Sequence, residues 1–312
     1  MNYFYLLLGL AVLVYSGDLL VKGAVGIALK LNITPLIVGL TVVSFGTSAP
    51  ELFASIKAAN FGNPEIAIGN VVGSNIANLA LVLGITAMIF PVAVARKILK
   101  KDWMVMVYAT VLFFILSLDG ELDASDGVIF IVSLVGYLGY LYYVNKKSVD
   151  EEEIEGAEEK AKTFFLLSIL LFAGFIGLYF GAEWFLKGAI SIAEDNNIDD
   201  YIIGVTVVAF GTSVPELATS AIAAYHKHSD ISIGNLIGSN IFNIFAVLGI
   251  TSTIKPLPVP DEVLTNNIYW MLGIALILFP MIYFNKSINR WNGFLLFGLY
   301  VSYIGILIYT NM

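Results

Sequence analysis

Two glutamates, Glu51 and Glu216, stand in nearly identical surroundings, GTSAPEL and GTSVPEL, inside stretches otherwise rich in Val, Ile, Leu and Ala. A carboxylate at the centre of a bilayer costs about 2.5–3.5 kcal/mol on insertion scales. Both copies bear that cost at the same place, and the simplest offset is a bound cation. The residues before each glutamate fit this. Pro50 and Pro215 lack a backbone donor and clash with the preceding turn, which frees carbonyls. Gly46 and Gly211 let the chain bend. Carbonyls near Ser44, Thr47, Ala209 and Thr212 are therefore expected as ligands, with Ser48 and Ser213 in the same motifs. Thr47 and Glu51 are four apart, as are Thr212 and Glu216, so each pair shares a helix face.

The next stretch contributes Gly73-Ser74-Asn75 and Gly238-Ser239-Asn240, followed by Asn78 and Asn243. Ser74 and Asn78 present a hydroxyl and an amide on one helical face, as do Ser239 and Asn243. Asn75 and Asn240 point elsewhere and are expected to hydrogen-bond backbone between helices. Gly69, Gly73, Gly234 and Gly238 recur four apart, the small-residue spacing that lets helices approach closely. All the candidate ligands are oxygen donors, which suits hard cations and argues against zinc or copper. Calcium accepts about 6–8 oxygens in flexible geometry, whereas magnesium demands an octahedron and keeps water. Two glutamates balance one Ca²⁺ or two Na⁺, so the two ions can compete for one site.

These motifs belong to a repeat. Residues 33–86 and 198–251 align without a gap at an offset of 165, with 30 of 54 positions identical. The identity concentrates in polar and glycine positions, where a duplication kept for packing alone would preserve apolar faces. A membrane helix needs about 20 mostly apolar residues. That length gives ten expected spans, near 3–30, 33–58, 66–91, 102–118, 124–144, 164–194, 198–224, 231–254, 265–284 and 290–310. The first lacks a basic leader and is expected to be retained. Five spans separate equivalent helices, so the halves must run in opposite directions. Such inverted repeats are a recurring transporter design, with substrate near the midplane where they meet. The expected fold is an all-α membrane protein of ten transmembrane helices in two inverted-topology five-helix repeats. Its halves are 1–145 and 164–312, joined by an acidic linker, 146–163.

The composition agrees: of 312 residues, 58% are hydrophobic and 13% charged, and mean hydropathy is +0.86. A soluble domain carries about a quarter charged residues. An ordinary cytosolic enzyme, a disordered chain and a nucleic-acid binder are excluded. The absence of cysteine removes thiol and disulfide chemistry. Twelve Lys and Arg residues fall in odd-numbered connections, against Lys57 and Lys255 in the others. Cytoplasmic loops carry that excess, so both termini are expected outside and the linker inside. Seven of the acids behind the net charge of −8 lie between Asp150 and Glu159. That run lacks the glycine-centred spacing of a calcium loop and reads as a solvated linker. Asp18 and Lys22, and Glu183 and Lys187, are expected to pair within their spans. His226 and His228 are expected in a solvated loop.

GTSAPE with GNVVGSNIANLALVLG, and GTSVPE with GNLIGSNIFNIFAVLG, resemble the two alpha-repeats of the sodium/calcium exchangers, within the calcium/cation antiporter superfamily. The resemblance implies electrogenic Ca²⁺ export driven by Na⁺ entry, by alternating access, with no resident cofactor and no catalytic residue. It implies Glu51 and Glu216 as shared Ca²⁺ and Na⁺ ligands. Thr47 and Thr212 would add oxygens. Ser48, Ser74, Ser213 and Ser239, with the carbonyls of Ser44 and Ala209, would line flanking Na⁺ sites. Asn78 and Asn243 would border the centre. Several relatives have Asp where this chain has Asn243, which argues against a K⁺ requirement. Proton-coupled relatives typically carry a GNA-type sequence before the glutamate, so GTS-x-P-E favours Na⁺. An H⁺/Ca²⁺ antiporter of the same fold is the alternative and a cation channel a distant third. An intramembrane metalloprotease lacks its HExxH motif.

Overall fold

A computed structural model describes residues 2–94, 101–145, 162–196 and 209–311. The acidic run Asp150 to Glu159, the cations Arg96, Lys97, Lys100, Lys146, Lys147 and Lys160, and the start of the seventh expected span lie outside the described residues. Among the described residues, ten main helical elements follow one another. α1 is Asn2–Leu31, α2 Pro35–Asn60 and α3 Glu65–Ile89. α4 is Asp102–Leu116, α5 Ala124–Asn145 and α6 Phe164–Asp195. α7 is Val214–Tyr225, after a short turn of helix at Ala209–Thr212. α8 is Ser229–Ile254 and α9 Val263–Asn285, and α10 is Arg290–Asn311. All but α7 are long and apolar enough to cross a membrane, nine among the described residues.

The prolines explain how α2 and α7 break. Pro50 and Pro215 sit in the first turn of new helical segments, Ala49–Asn60 and Val214–Tyr225. There the missing N–H costs nothing. Three further departures from α geometry lie near the glutamates. Gly39–Val43 in α2, Ala77–Val82 in α3 and Asn243–Leu248 in α8 are wound as π-helix. Such bulges are rare and occur frequently at functional sites. Here they contain Asn78 and Asn243 and end at Ser44.

Burial sorts the helices into centre and rim. α8 and α3 are largely enclosed by other helices, whereas α5 and α10 are mostly exposed at the rim. A helix apolar all round belongs in a large core or a membrane. The outer face carries Tyr3, Phe4, Phe53, Val132, Phe165, Phe172, Phe284 and Trp291, all exposed. So much apolar surface is stable against lipid and costly in water.

α1 and α6 pack against each other through glycine. A Cβ on Gly9 would strike the backbone of Phe185, and one on Gly188 the backbone of Leu6. On Gly23 it would fall 2.7 Å from Leu171 N, and on Gly174 2.8 Å from Leu20 N. As one chain position rises the other falls, so α1 and α6 run antiparallel. Gly9 and Gly174, and Gly23 and Gly188, are 165 apart, the offset of the repeat. Two short clasps join the halves as well. Val92–Ala93 (β1) pairs antiparallel with Ser287–Ile288 (β4). Glu121–Leu122 (β2) pairs with Leu257–Pro258 (β3). Each ties a connection of one half to a connection of the other.

The Lys22–Asp18 pair forms at 2.7 Å. Two expectations near it need correction. His226 is not simply solvated, because its Nε2 lies 2.8 Å from Asp18 Oδ1. The C-terminal end of α7 lies beside α1 and delivers the imidazole there. Lys187 does not join Glu183; its Nζ lies 4.6 Å above the Tyr5 ring. Tyr5 on the neighbouring helix offers a cation–π face of the kind that competes with a partly exposed ion pair.

Candidate cation site

Glu51 and Glu216 are both fully buried. Each comes from the segment that restarts after a proline break, α2 from one half and α7 from the other. They lie close enough for their charges to interact, with Thr47 beside Glu216. None of their four carboxylate oxygens has a hydrogen-bond partner. Buried polar atoms are nearly always partnered, and removing one partner of a buried ion pair costs about 3–5 kcal/mol. Two interacting buried carboxylates with no hydrogen-bond partner are stable only as a cation site or in protonated form.

The neighbours leave several buried polar atoms without partners. Thr47 donates its hydroxyl proton to Asn235 Oδ1 at 3.1 Å, and Ser239 Oγ lies 3.3 Å away. The Thr47 oxygen thereby keeps lone pairs beside Glu216. Ser74 Oγ and Thr212 Oγ1 are 3.4 Å apart, which joins α3 to the turn before α7. Asn243 Nδ2 donates to Asn75 Oδ1 at 3.0 Å, while Asn243 Oδ1 has no partner. Both amide atoms of Asn78 and the hydroxyls of Ser48 and Ser213 are likewise buried without partners. Among the described residues, no group of three or more His, Cys, Asp or Glu side chains could hold a metal. Any cation here therefore depends on neutral oxygens around the two carboxylates.

Ser44 departs from expectation. Its carbonyl accepts from Ser48 N at 2.9 Å, and its hydroxyl donates to Gly39 O at 2.6 Å and lies 3.0 Å from Asn235 O. It bolts α2 to α8. The carbonyls deprived of a helical donor by Pro50 and Pro215 are those of Gly46 and Gly211, four residues earlier. Ala209 opens the helical turn before α7.

Sequence reasoning passed over a second layer. Asn70 donates to the Glu51 carbonyl at 3.2 Å and to Ser55 Oγ at 3.0 Å. Asn235, its equivalent, donates to Ser220 Oγ at 3.1 Å. Thr86 and Thr251 are an equivalent pair of buried, unpartnered hydroxyls. All six are identical between the two copies at an offset of 165. That identity was the available signal, since polar residues buried in apolar helices have no packing reason to recur.

The comparisons with known proteins give the family and the fold. The family model described as sodium/calcium exchanger protein matches residues 1–143 and 166–309. The chain belongs to that family. It is 35% identical over 306 residues to a putative antiporter, CaxA, of Alkalimonas amylolytica, covering 96% of each chain. It is 35% identical over 351 residues to the sodium/calcium exchanger MaX1 of Methanosarcina acetivorans, covering 99% of each. It also matches the solved sodium-calcium exchanger NCX_Mj, soaked with 2.5 mM Na⁺ and 0.1 mM Ca²⁺. That match has a TM-score of 0.82 and 34% identity, over 97% of each chain. The fold and site thus define a multi-pass membrane transporter of the exchanger family.

Proposed function

We propose that this chain exchanges Na⁺ for Ca²⁺ across the cell membrane by alternating access, extruding Ca²⁺ with net entry of positive charge. The observation that carries the reading is the pair Glu51 and Glu216, fully buried, one from each repeat, with all four oxygens lacking a protein donor. One Ca²⁺ or two Na⁺ neutralises the pair, and competition for one site is what exchange requires. Thr47 and Thr212 add oxygens to the central shell, which Asn78 and Asn243 border. Ser48, Ser74, Ser213 and Ser239, with the carbonyls of Ser44 and Ala209, line flanking Na⁺ positions. Ser44 serves there only through the second lone pair of its carbonyl.

The proposed architecture is ten spans in two inverted five-helix halves, 1–145 and 164–312. The antiparallel α1–α6 pair, with its glycines at the repeat offset, and the clasps between the halves support it. Both termini lie outside and the linker 146–163 inside, as the Lys and Arg distribution indicates. The working unit is a monomer in the bilayer, since both carboxylates come from one chain. Equilibrium binding of radioactive Ca²⁺ to purified protein tests the site. Na⁺ should displace Ca²⁺ competitively, and Glu51→Gln or Glu216→Gln should remove high-affinity binding. Ca²⁺ binding indifferent to both Na⁺ and the two substitutions would overturn the reading.

A further inference from the structure

We infer that Asn75 is a positioning residue that fixes which end of the Asn243 amide faces the cation. The inference rests on Asn243 being a ligand, as proposed above. It follows from a hydrogen-bond chain anchored on a group with no choice of role. The backbone carbonyl of Asn240 can only accept. The Asn75 amide atom 3.2 Å from it is therefore the nitrogen, Nδ2. The other end of the Asn75 amide is then its oxygen, which can only accept. The Asn243 atom 3.0 Å from that oxygen must in turn be the donor, Nδ2. Asn243 is left with Oδ1 directed elsewhere, buried and without a partner. A reversed Asn243 would bring two oxygens together at Asn75 and turn an N–H toward a site that must hold cations. Asn75 excludes that arrangement.

The lock exists on one side only. Asn75 and Asn240 are equivalent positions, 165 apart, and the Asn75 bond to the Asn240 carbonyl spans the junction of the two repeats. Asn240 itself donates to Leu236 O of its own helix at 2.8 Å. It does not engage Asn78, whose two amide atoms have no partner. A neutral amide is thus held as a pure acceptor at position 243. A carboxylate presents oxygen in either rotation and needs no such lock.

That difference supplies the test. Ca²⁺ uptake into vesicles is measured as a function of Ca²⁺ for the native chain, Asn75→Ala, Asn243→Asp and the double variant. Partners behind a metal ligand are worth about 10–100-fold in affinity or activity. Asn75→Ala should raise the apparent KM for Ca²⁺ by about tenfold in the Asn243 chain, with the maximal rate and membrane level little changed. In the Asn243→Asp chain the same substitution should raise KM by less than about twofold, relative to Asn243→Asp alone. Asn75→Leu, close in volume and unable to accept, serves if the alanine variant does not reach the membrane. An unchanged KM, or an equal loss in both backgrounds, would overturn the inference, the latter marking Asn75 as packing alone. Asn243→Ala separates the two levels. If it leaves KM unchanged, the ligand reading of Asn243 fails together with the inference. If it weakens Ca²⁺ uptake while Asn75 acts equally in both backgrounds, only the inference fails.

Discussion

Replacing Gly238 by alanine puts one methyl group at a tight α2–α8 crossing beside the site. Its Cβ would overlap Ser44 Oγ, and would fall 2.8 Å from Leu40 O and 2.9 Å from Leu40 Cα. Carbon contacts settle at about 3.5–4.0 Å, so the Leu40 backbone must retreat by about 0.6 Å. The Ser44 hydroxyl must also leave its place 2.6 Å from Gly39 O. Overpacking of this kind costs about 1–3 kcal/mol, and the displaced hydrogen bond about 1 kcal/mol more. The sum is about 2–4 kcal/mol. At about 2–4 °C per kcal/mol for chains of 150–250 residues, somewhat less for a longer one, the melting temperature should fall by about 5–10 °C. The assay is thermal unfolding of purified protein, read by the loss of its monomer peak. Gly136→Ala is the matched control, because no described atom lies within 4 Å of that Cβ. Adding Ser44→Ala to Gly238→Ala should recover part of the loss and not all of it, since the Leu40 backbone still obstructs. Equal melting of the Gly238 and Gly136 variants would refute the close α2–α8 contact on which the site geometry depends.

Three further outcomes follow from the same contacts. Glu51→Gln and Glu216→Gln should each lower Ca²⁺ uptake by about 100-fold or more, as expected when one charge of a buried set is removed, with membrane levels intact. Immunoblotting with uptake on the same vesicles checks both. Asn240→Ala should change the apparent KM for Ca²⁺ by less than about twofold, because its side chain bonds only its own helix. An effect as large as that of Asn75→Ala would contradict the asymmetry. His226→Ala removes a partly exposed contact to Asp18. It should lower the melting temperature by about 2 °C or less, the range for pairs worth about 0.2–1 kcal/mol.

The chemistry of the site was legible because it is written twice. Glu51 and Glu216 violate the apolar rule of their helices at one offset, and two coincident violations are hard to explain by packing. Helix bounds were legible from apolar length alone: 3–30 against Asn2–Leu31, and 66–91 against Glu65–Ile89. What escaped depends on geometry between helices. The π segments that contain Asn78 and Asn243 differ from α-helix by one residue in the hydrogen-bond step, with no composition of their own. The clasps β1–β4 and β2–β3 are two residues each, too short for an alternating pattern. Glu183 and Lys187 have the spacing of a pair, but spacing along one helix says nothing of the Tyr5 ring on another. His226 reads as a loop residue until α7 is packed against α1. Asn70 and Asn235 were visible as recurring polar positions, yet only the fold shows that they steady the Glu51 backbone and the Thr47 hydroxyl.

Coupling is tested most directly by loading reconstituted vesicles and measuring Ca²⁺ flux under one imposed gradient at a time. Exchange of Na⁺ for Ca²⁺ at the Glu51–Glu216 site predicts rapid Ca²⁺ movement against an opposing Na⁺ gradient, accelerated by a membrane potential of the right sign and absent in Glu51→Gln. Ca²⁺ movement driven by a pH gradient with Na⁺ absent, and unaffected by a Na⁺ gradient, would contradict it.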